Sequence, residues 1–387
     1  MMIFLQIVFW VSVFFIFHSY VLFPGLLQLL SRKRKLEFPE SKGVCKISIL
    51  VAAFNEEEVI GEKIESIYQS SYPIDQFELL IGSDNSTDKT NKIVQSYAQK
   101  YPNLHFTAYS KRRGKQNVIN DLFELSTGVI LVLTDANVIF DIKTLEEISR
   151  PFAEESIGLV DTNMINRGMK KEGISHQEKA YISREVMIKH YESVLWGSMM
   201  GPFGGCYAIR REDYSPVPAN ALVDDFYINM KIFTKGKKAV NNLHAKVYED
   251  VGNNIKDEMI RKIRISTGNF QNLQWFKGLL WPLNNGVAFT FLSHKVLRWL
   301  GPFFLLGALG SSLALLQYPL YQLALLLQIL AMMLPGLDYL LRKMNVHLGI
   351  LRFITHFYSM NIALFIGFFR FLKGVDSGIW KVTKRNQ

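Results

Sequence analysis

The chain has 387 residues and a formal net charge of +10, and 49% of its residues are hydrophobic. That length accommodates one domain of about 150 to 250 residues together with membrane segments. Cys45 and Cys206 are too few for a disulfide framework and too far apart in sequence for a metal knuckle, as expected in a reducing compartment. A basic chain could bind nucleic acid, anionic lipid or an anionic substrate, but no recognised nucleic-acid motif is present, so we expect lipid headgroups and a phosphate-bearing substrate.

Residues 1–30 predict a membrane anchor. The stretch exceeds the roughly 20 apolar residues that cross a bilayer, and His18 is its only side chain that titrates near neutrality. It lacks the basic start and small-residue cleavage site of a secretory signal peptide, so we expect it to be retained. The basic run from Arg32 to Lys35 then predicts, by the positive-inside rule, that residue 31 onward is cytoplasmic.

Residues 46–140 alternate short β-branched runs with amphipathic stretches of helical length. This alternation predicts crossover units and a mostly parallel sheet with flanking helices, an α/β fold. Ligands of such sheets bind at the carboxyl ends of the strands. Asn55, Asp84 and Asp135 each follow a predicted strand, so we expect them at one site.

The chain is then predicted to return to the membrane. Aromatic and basic residues mix with apolar ones over 273–300, a composition typical of interfacial helices. Three apolar segments follow at 301–317, 319–341 and 350–372. Three full spans would place the basic tail outside, and the last segment carries Arg352, His356, Asn361 and Arg370, so that segment could be re-entrant or interfacial. The number of crossings stays open.

Polar side chains at the strand ends are candidate substrate ligands. Asn55 with Glu56 or Glu57 could hydrogen-bond a base or ribose, although consecutive glutamates also suit a first helical turn. Asp84 lies just before Ser86 and Thr87, which could be an N-cap, and can itself reach a nucleotide.

Asp135 and Asn137 form a candidate metal site. Side chains at i and i+2 of an extended segment point to the same side, so both oxygens can face one Mg²⁺ or Mn²⁺ held against a diphosphate. Asn137 is a neutral donor, which makes Asp135 the safer ligand. The alternative is a turn formed by Asp-Ala-Asn.

Two further positions complete the candidate chemistry. Lys115 follows a glycine at a predicted helix start, where a phosphate is readily bound, although a solvated basic loop is an alternative. Asp224 and Asp225 are adjacent acids, and adjacent like charges raise one pKa, which suits a base that accepts a proton near neutral pH. The alternative is an acidic helix N-terminus.

Together these motifs resemble those of the membrane-embedded family 2 glycosyltransferases, which include the cellulose, hyaluronan, chitin-oligomer and poly-N-acetylglucosamine synthases and, more distantly, ceramide glucosyltransferase. The resemblance covers nearly the whole chain. It implies a GT-A-like fold that transfers sugar from a UDP-linked donor with inversion at the anomeric carbon, and a Mg²⁺ or Mn²⁺ cofactor.

The resemblance also assigns roles. Asp225 matches the second acid of the family's E/T-E-D motif and would be the base for the acceptor hydroxyl. Arg264 matches the arginine of Q-x-x-R-W and would pair with the leaving diphosphate, but Ile265 replaces the tryptophan that forms the acceptor platform. That change disfavours processive elongation or moves the platform to another aromatic, such as Trp275. Thr383 in the tail resembles part of the family's gating loop, the alternative being a basic tail attracted to anionic lipid.

The predicted site residues are: catalytic, Asp225, Asp224 and Arg264; nucleotide-sugar-binding, Ala53, Asn55, Glu57, Asp84, Lys115, Asp135, Arg261, Thr383 and Arg385; acceptor-binding, Gly204, Gly205, Tyr207 and Trp275; metal-binding, Asp135 and Asn137. The predicted domains are an N-terminal transmembrane anchor (1–30), a cytoplasmic GT-A glycosyltransferase domain (31–272), interfacial amphipathic helices (273–300), C-terminal transmembrane segments (301–372) and a basic tail (373–387).

The first functional hypothesis is a metal-dependent, inverting synthase that extends a polysaccharide at the cytoplasmic face of a bacterial inner membrane. The alternative is transfer of a single sugar to a membrane lipid, which the change at Ile265 favours. A third hypothesis, a non-catalytic scaffold or partner subunit, predicts no nucleotide release with any UDP-sugar.

Overall fold

The computed structural model describes residues 1–39, 43–167, 175–250, 255–344, 346 and 348–375. Within those ranges one eight-stranded sheet has the order β3-β2-β1-β4-β7-β6-β8-β5. Its strands are β1 Ile47–Ala53, β2 Phe77–Ser83, β3 Leu104–Ala108, β4 Ile130–Thr134, β5 Ile139–Phe140, β6 Ile157–Arg167, β7 Cys206–Arg210 and β8 Lys238–Asp250.

Helices flank the sheet and extend from it. Those associated with the sheet are α3 Ile60–Tyr68, α4 Thr90–Lys100, α5 Lys115–Leu125, α6 Thr144–Ser149, α7 Ser175–Trp196, α8 Asp224–Thr234 and α9 Ile255–Phe276. The others are α1 Met2–Phe17, α2 Phe23–Ser31, α10 Gly286–Thr290, α11 Leu297–Trp299, α12 Gly301–Ala314, α13 Pro319–Lys343 and α14 Gly349–Leu372.

The predicted α/β architecture of the first half is confirmed. Strands β1, β2, β3 and β4 pair in parallel. Alternation along β1 divides the core, because Ile49 packs with Ile64 of α3 on one face of the sheet while Leu50 packs with Leu122 of α5 on the other. Burial of both faces explains why these strands are continuous apolar runs in the sequence.

The second half of the sheet is mixed rather than parallel. β7 lies antiparallel between β4 and β6, and its first residue, Cys206, pairs with Thr134 at the end of β4. The glycine-rich segment before β7 is therefore brought to the carboxyl edge of the parallel strands. The backbone confirms this position, because Asp135 N–H donates to the carbonyl of Gly205 over 2.9 Å.

In the part of the chain that the structure describes, three helices are long and apolar enough to span a membrane: Met2–Ser31, Pro319–Lys343 and Gly349–Leu372. Residues Gly286–Trp299 and Gly301–Ala314 form a pair bent by 60° that would make a fourth span if it counts as one.

Two features of the structure bear on the predicted segment boundaries. The boundary at residue 272 falls inside α9, which continues to Phe276. The segment predicted as interfacial, 273–300, is partly core, since Phe291 and Trp299 are buried against Phe226 of α8. Aromatic composition alone does not distinguish a headgroup-facing helix from one that packs against a domain.

Candidate active site

Three elements bring acids and a lysine together at the carboxyl edge of the sheet. Asp135 follows β4, Asp224 begins α8 and Lys115 begins α5. The Lys115 ammonium lies 2.6 Å from Asp135 Oδ1 and 3.9 Å from Asp224 Oδ2. Burial opposes its charge, but these carboxylates raise the pKa of Lys115 above its usual value, so it is a permanent cation at neutral pH. The structure therefore brings these three candidate residues together.

Asp225 is held against the glycine loop. Gly204 has a φ of +77°, and a Cβ at that position would lie 2.6 Å from Asp225 Oδ2, so only glycine allows the backbone this close to the carboxylate. The other oxygen, Oδ1, accepts the Phe226 N–H over 2.8 Å. Burial, together with the charge of Asp224, raises the pKa of Asp225 to about 7. A carboxyl group of this kind can accept a proton near neutral pH.

Arg264 of α9 lies within electrostatic reach of the same acids. Burial and the neighbouring Arg261 lower the pKa of Arg264 to about 10, and the charges of Asp224, Asp225 and Asp135 oppose that change. The guanidinium is therefore charged at neutral pH. Arg261 itself pairs with Glu258, its Nε lying 2.9 Å from Oε2.

Asp84 organises a basic loop. Its buried carboxylate accepts the N–H of Arg113 over 2.6 Å and that of Gly114 over 3.0 Å. Arg112 stacks on Phe54, with its guanidinium carbon 3.6 Å from the ring centroid. Asp84 thus fixes the turn that starts α5 and places Lys115; direct contact with a nucleotide stays a prediction.

Asn55 and Glu57 join the loops that follow β1 and β2. Asn55 Oδ1 accepts the Thr87 N–H over 2.8 Å, and Glu57 Oε2 accepts the Lys89 N–H over 2.9 Å. Ala53 contributes its carbonyl, which accepts the Asp84 N–H over 2.8 Å. These bonds give the predicted nucleotide ligands a scaffolding role at the same edge of the sheet.

Asp135 and Asn137 are the donors available to a divalent cation. The Asn137 amide nitrogen donates to Glu249 Oε1 over 3.2 Å, which leaves its carbonyl oxygen as the donor atom. Among the described residues, no group of three or more His, Cys, Asp or Glu side chains could hold a metal ion. One carboxylate and one amide oxygen fit Mg²⁺ or Mn²⁺ only if phosphate oxygens supply further ligands, which is the usual arrangement for Mg²⁺.

Lys63 is a residue of this site that the sequence argument missed. It is fully buried behind the loop that carries Asp135, where its ammonium donates to Thr134 Oγ1 over 2.8 Å and to the Val138 carbonyl over 2.5 Å. Burial lowers the pKa of Lys63 to about 7. A signal was present, because Lys63 interrupts the apolar stripe of α3 formed by Ile60, Ile64 and Ile67.

Two predicted acceptor contacts are not supported. Tyr207 is only 2% exposed, and its hydroxyl has no hydrogen-bond partner among the described residues; as a residue of central strand β7 it faces the core and offers no surface to an acceptor. Trp275 lies three turns beyond Arg264 on α9, about 16 Å along the axis. Its ring packs on Tyr227 of α8, with ring centroids 5.4 Å apart. Thr383 and Arg385 lie outside the described residues.

This chain is similar to known proteins both in fold and in sequence. The structure superposes on the mannosyltransferase PcManGT from Pyrobaculum calidifontis, solved with GDP-Man and Mn²⁺, with a TM-score of 0.71 at 20% identity, covering 94% of this chain and 99% of that one. This likeness confirms a GT-A-like fold.

The matches to curated sequence relatives cover only part of this chain. A beta-monoglucosyldiacylglycerol synthase from a Nostoc species is 29% identical over 196 residues, 50% of this chain and 42% of the relative, so the match spans less than half of that protein. A dolichyl-phosphate-linked glucuronosyltransferase from Methanococcus voltae is 23% identical over 296 residues, covering 71% of this chain and 90% of the relative. Residues 48–216 match the glycosyl transferase family 2 model, so this region is a family 2 glycosyltransferase domain.

Proposed function

We propose that this chain is an inverting glycosyltransferase that moves a hexose from a nucleotide sugar to the hydroxyl or phosphate of a membrane lipid. The observation that carries the proposal is the convergence of Asp225, whose pKa is raised to about 7, with the cations Lys115 and Arg264. A base near neutral pH and two fixed cations are what a single displacement of a nucleoside diphosphate needs.

The residues divide the reaction between them. Asp225 accepts the proton of the acceptor hydroxyl while the acceptor oxygen forms its bond to the anomeric carbon. The bond from that carbon to the diphosphate oxygen breaks in the same step, and the electron pair leaves with the diphosphate. Lys115 and Arg264 stabilise this departing charge. Attack on the face opposite the leaving group inverts the anomeric centre.

Asp135 and Asn137 would hold a divalent cation against the diphosphate, which supplies further stabilisation of the leaving group when bound. The Mn²⁺ in the PcManGT complex supports the assignment to this class of cation. Lys115 donates to Oδ1 of the same Asp135 carboxylate, so it lies next to the position that the cation would take.

A lipid acceptor is favoured by the position of the site. Arg264 lies on α9, which packs on the apolar helix α14: a Cβ at Gly367 of α14 would lie 2.5 Å from the Cβ of Ser266. The helix that carries Arg264 therefore packs directly against an apolar helix that follows the membrane segment α13. The replacement of the acceptor-platform tryptophan by Ile265 and the diacylglycerol product of the Nostoc relative's name support the same conclusion.

The donor and the location follow the resemblance. We assign a UDP-sugar donor and a cytoplasmic catalytic domain at a bacterial inner membrane, on the basic run that follows the first helix. The PcManGT complex holds GDP-Man, so the donor must be measured.

The test is a screen of the purified protein in liposomes against UDP-glucose, UDP-galactose, UDP-N-acetylglucosamine and GDP-mannose, with diacylglycerol or polyprenyl phosphate and Mn²⁺. Release of nucleoside diphosphate identifies the donor, and extraction of the labelled sugar into organic solvent identifies a lipid product. Asp225→Asn should abolish release, whereas Asp75→Asn, at an exposed acid, should not. Label retained in a water-soluble polymer would overturn the lipid proposal, and no release with any donor would overturn the transferase assignment.

A further inference from the structure

Helix α14 passes a length and hydropathy test for a membrane span, yet it lies lengthwise on α9. Phe368 contacts Phe270 with ring centroids 5.1 Å apart, and His356 lies within reach of the charges of Glu258 and Lys262. The contacts at Glu258 and Phe270 of α9 are 12 residues apart, and so are their partners on α14, His356 and Phe368. The two helices therefore run in the same direction. The two helices run side by side over several turns.

The partner helix α9 is not a membrane segment. It carries Glu258, Arg261, Lys262 and Arg264, and Arg264 belongs to the site that must bind a water-soluble donor. Charged side chains are costly in hydrocarbon. A helix that packs along α9 therefore cannot cross the bilayer over the same length.

The C-terminal end and the middle of α14 lie at the level of the catalytic domain. Beyond its last turn, the Val375 carbonyl accepts a hydrogen bond from Asn220 of the catalytic domain over 3.4 Å. Its middle contacts the first helix at Tyr20, whose ring centroid lies 5.2 Å from that of Phe357. The backbone carbonyl of Tyr20 in turn accepts a bond from Arg184 of α7, so this level is the polar boundary of the first helix.

The far side of the membrane part is defined by other helices. Gln317, after α12, donates to Met2 Sδ over 2.9 Å, and Phe304 near the start of α12 contacts Phe15 with centroids 5.2 Å apart. α12 is therefore antiparallel to α1 and reaches the same depth. From residue 2 to residue 20 the first helix rises about 28 Å, close to the roughly 30 Å of a hydrocarbon core.

α13 returns from that far side to the catalytic side. It begins next to Gln317, and with 25 residues it is about 37 Å long. Near its end Asp338 Oδ2 accepts the Thr355 hydroxyl of α14 over 3.1 Å. The loop between α13 and α14 is therefore on the catalytic side of the membrane.

We propose that α14 binds the headgroup layer of the bilayer as an in-plane helix, and that α1, α12 and α13 are the segments that cross. In its second half α14 buries Ala363, Leu364 and Gly367 against protein. The opposite side of that half exposes three apolar residues, Ile362, Ile366 and Phe369. Arg370 and Lys373 are exposed at its end, where they can meet lipid phosphates. The occupant of the apolar side is the phospholipid bilayer with which α1 and α13 are continuous.

This arrangement predicts how deep each residue of α13 and α14 lies in the bilayer. Single cysteines at Ile350, Ile362, Ile366 or Phe369 of α14, and at Leu320, Leu330 or Leu340 of α13, are placed in the full chain with Cys45→Ser; Cys206 is fully buried and stays. A fluorophore on each is quenched by lipids that carry nitroxides at different depths, in phosphatidylcholine and phosphatidylglycerol liposomes. We expect every α14 position within about 5 to 10 Å of the headgroup boundary, and only Leu330 near the centre, about 15 Å deep. An α14 profile that passes through the bilayer centre overturns the proposal.

Sidedness gives an independent readout. A membrane-impermeant thiol reagent is applied to inside-out and right-side-out vesicles that carry Met344→Cys, Gln317→Cys or, as the catalytic-side reference, Asp75→Cys. Met344→Cys should react with the reference and Gln317→Cys from the opposite side. If instead Gln317→Cys reacts from the same side as the reference and Met344→Cys from the opposite side, α13 and α14 form the crossing pair. That result would overturn the proposal. Neither readout depends on the substrate, so the outcome is separate from that of the donor screen.

Discussion

Replacing the proposed base should stabilise the protein while it removes activity. Asp225 carries the penalty of a buried acid beside Asp224, which raises its pKa from 3.8 to about 7. An acid with a raised folded-state pKa binds its proton more tightly when folded, so stability falls as pH rises from about 4 to about 7 and is then constant. Asp225→Asn removes the titrating group, and its amide can keep the bond from the Phe226 N–H.

The size of the effect follows from linkage. Moving the pKa from 3.8 to about 7 corresponds to about 4 kcal/mol of unfolding free energy at pH 8, and to about 2 kcal/mol at pH 5. At pH 3 the two proteins should be equally stable. We therefore expect Asp225→Asn to melt at a higher temperature than the native protein at pH 8, with a gap that narrows steadily towards acid pH.

The assay is a set of thermal melts in detergent from pH 4 to pH 8, with nucleotide release measured on the same preparations. Asp75→Asn is the matched control, because Asp75 is exposed and its removal should leave the gap near zero at every pH. A variant that is inactive but less stable than the native protein at pH 8 would refute the reasoning, as would a gap that does not depend on pH.

Four other outcomes test separate parts of the site. The value of kcat/KM should rise about tenfold per pH unit up to about pH 7 and then level off, because Asp225 must be ionised to act as base. Gly204→Ala should lower kcat at least about 100-fold by displacing the Asp225 carboxylate, whereas Gly236→Ala, which has the same left-handed φ but open space around it, should not. Lys63→Met should raise the Mn²⁺ concentration for half-maximal activity about 10- to 100-fold by loosening the loop between Thr134 and Val138, with Lys63→Arg intermediate. Trp275→Ala should leave kcat within about twofold, since the residue lies about three turns beyond Arg264 on α9 and its ring packs on Tyr227; a large loss would restore it to the acceptor site.

The parallel half of the fold and the main acids could be predicted because local and global signals agree there. Strands β1, β2 and β4 are buried on both faces, so their sequences are unbroken apolar runs that end in polar residues at the ligand edge. β8 could not be predicted in the same way, since it contains Asn241 and Asn242, which are buried only because their amides donate to carbonyls of residues 162 and 147. Such partners are distant in sequence, and a polar run without them indicates a loop.

The charged residues of the site could be predicted from the sequence, but the contacts that hold them in position could not. Asp225, Asp135 and Lys115 are visible as charges at the ends of elements, and the structure brings them together. The closeness of Gly204 to Asp225 and the two bonds of Lys63 depend on which face each residue presents after folding. Tyr207 shows the same limit, because alternation in β7 does not reveal which of its side chains face the core.

Membrane crossing is a further property that composition alone leaves undetermined. α13 and α14 have similar lengths, and both are apolar enough to span. In the most apolar stretch of each helix, 6% of the residues of α13 are buried inside the protein, compared with 28% of those of α14. A helix that crosses alone is exposed to lipid on every side, whereas a helix that lies between a domain and the headgroups buries one side against that domain. Because the buried side of α14 contacts the helix that carries Arg264, the depth of α14 in the bilayer also sets the height of the reaction centre above the membrane. Under the two proposals, of a lipid acceptor and of an in-plane α14, the packing of α14 on α9 would also bring the headgroup of the acceptor lipid towards Asp225.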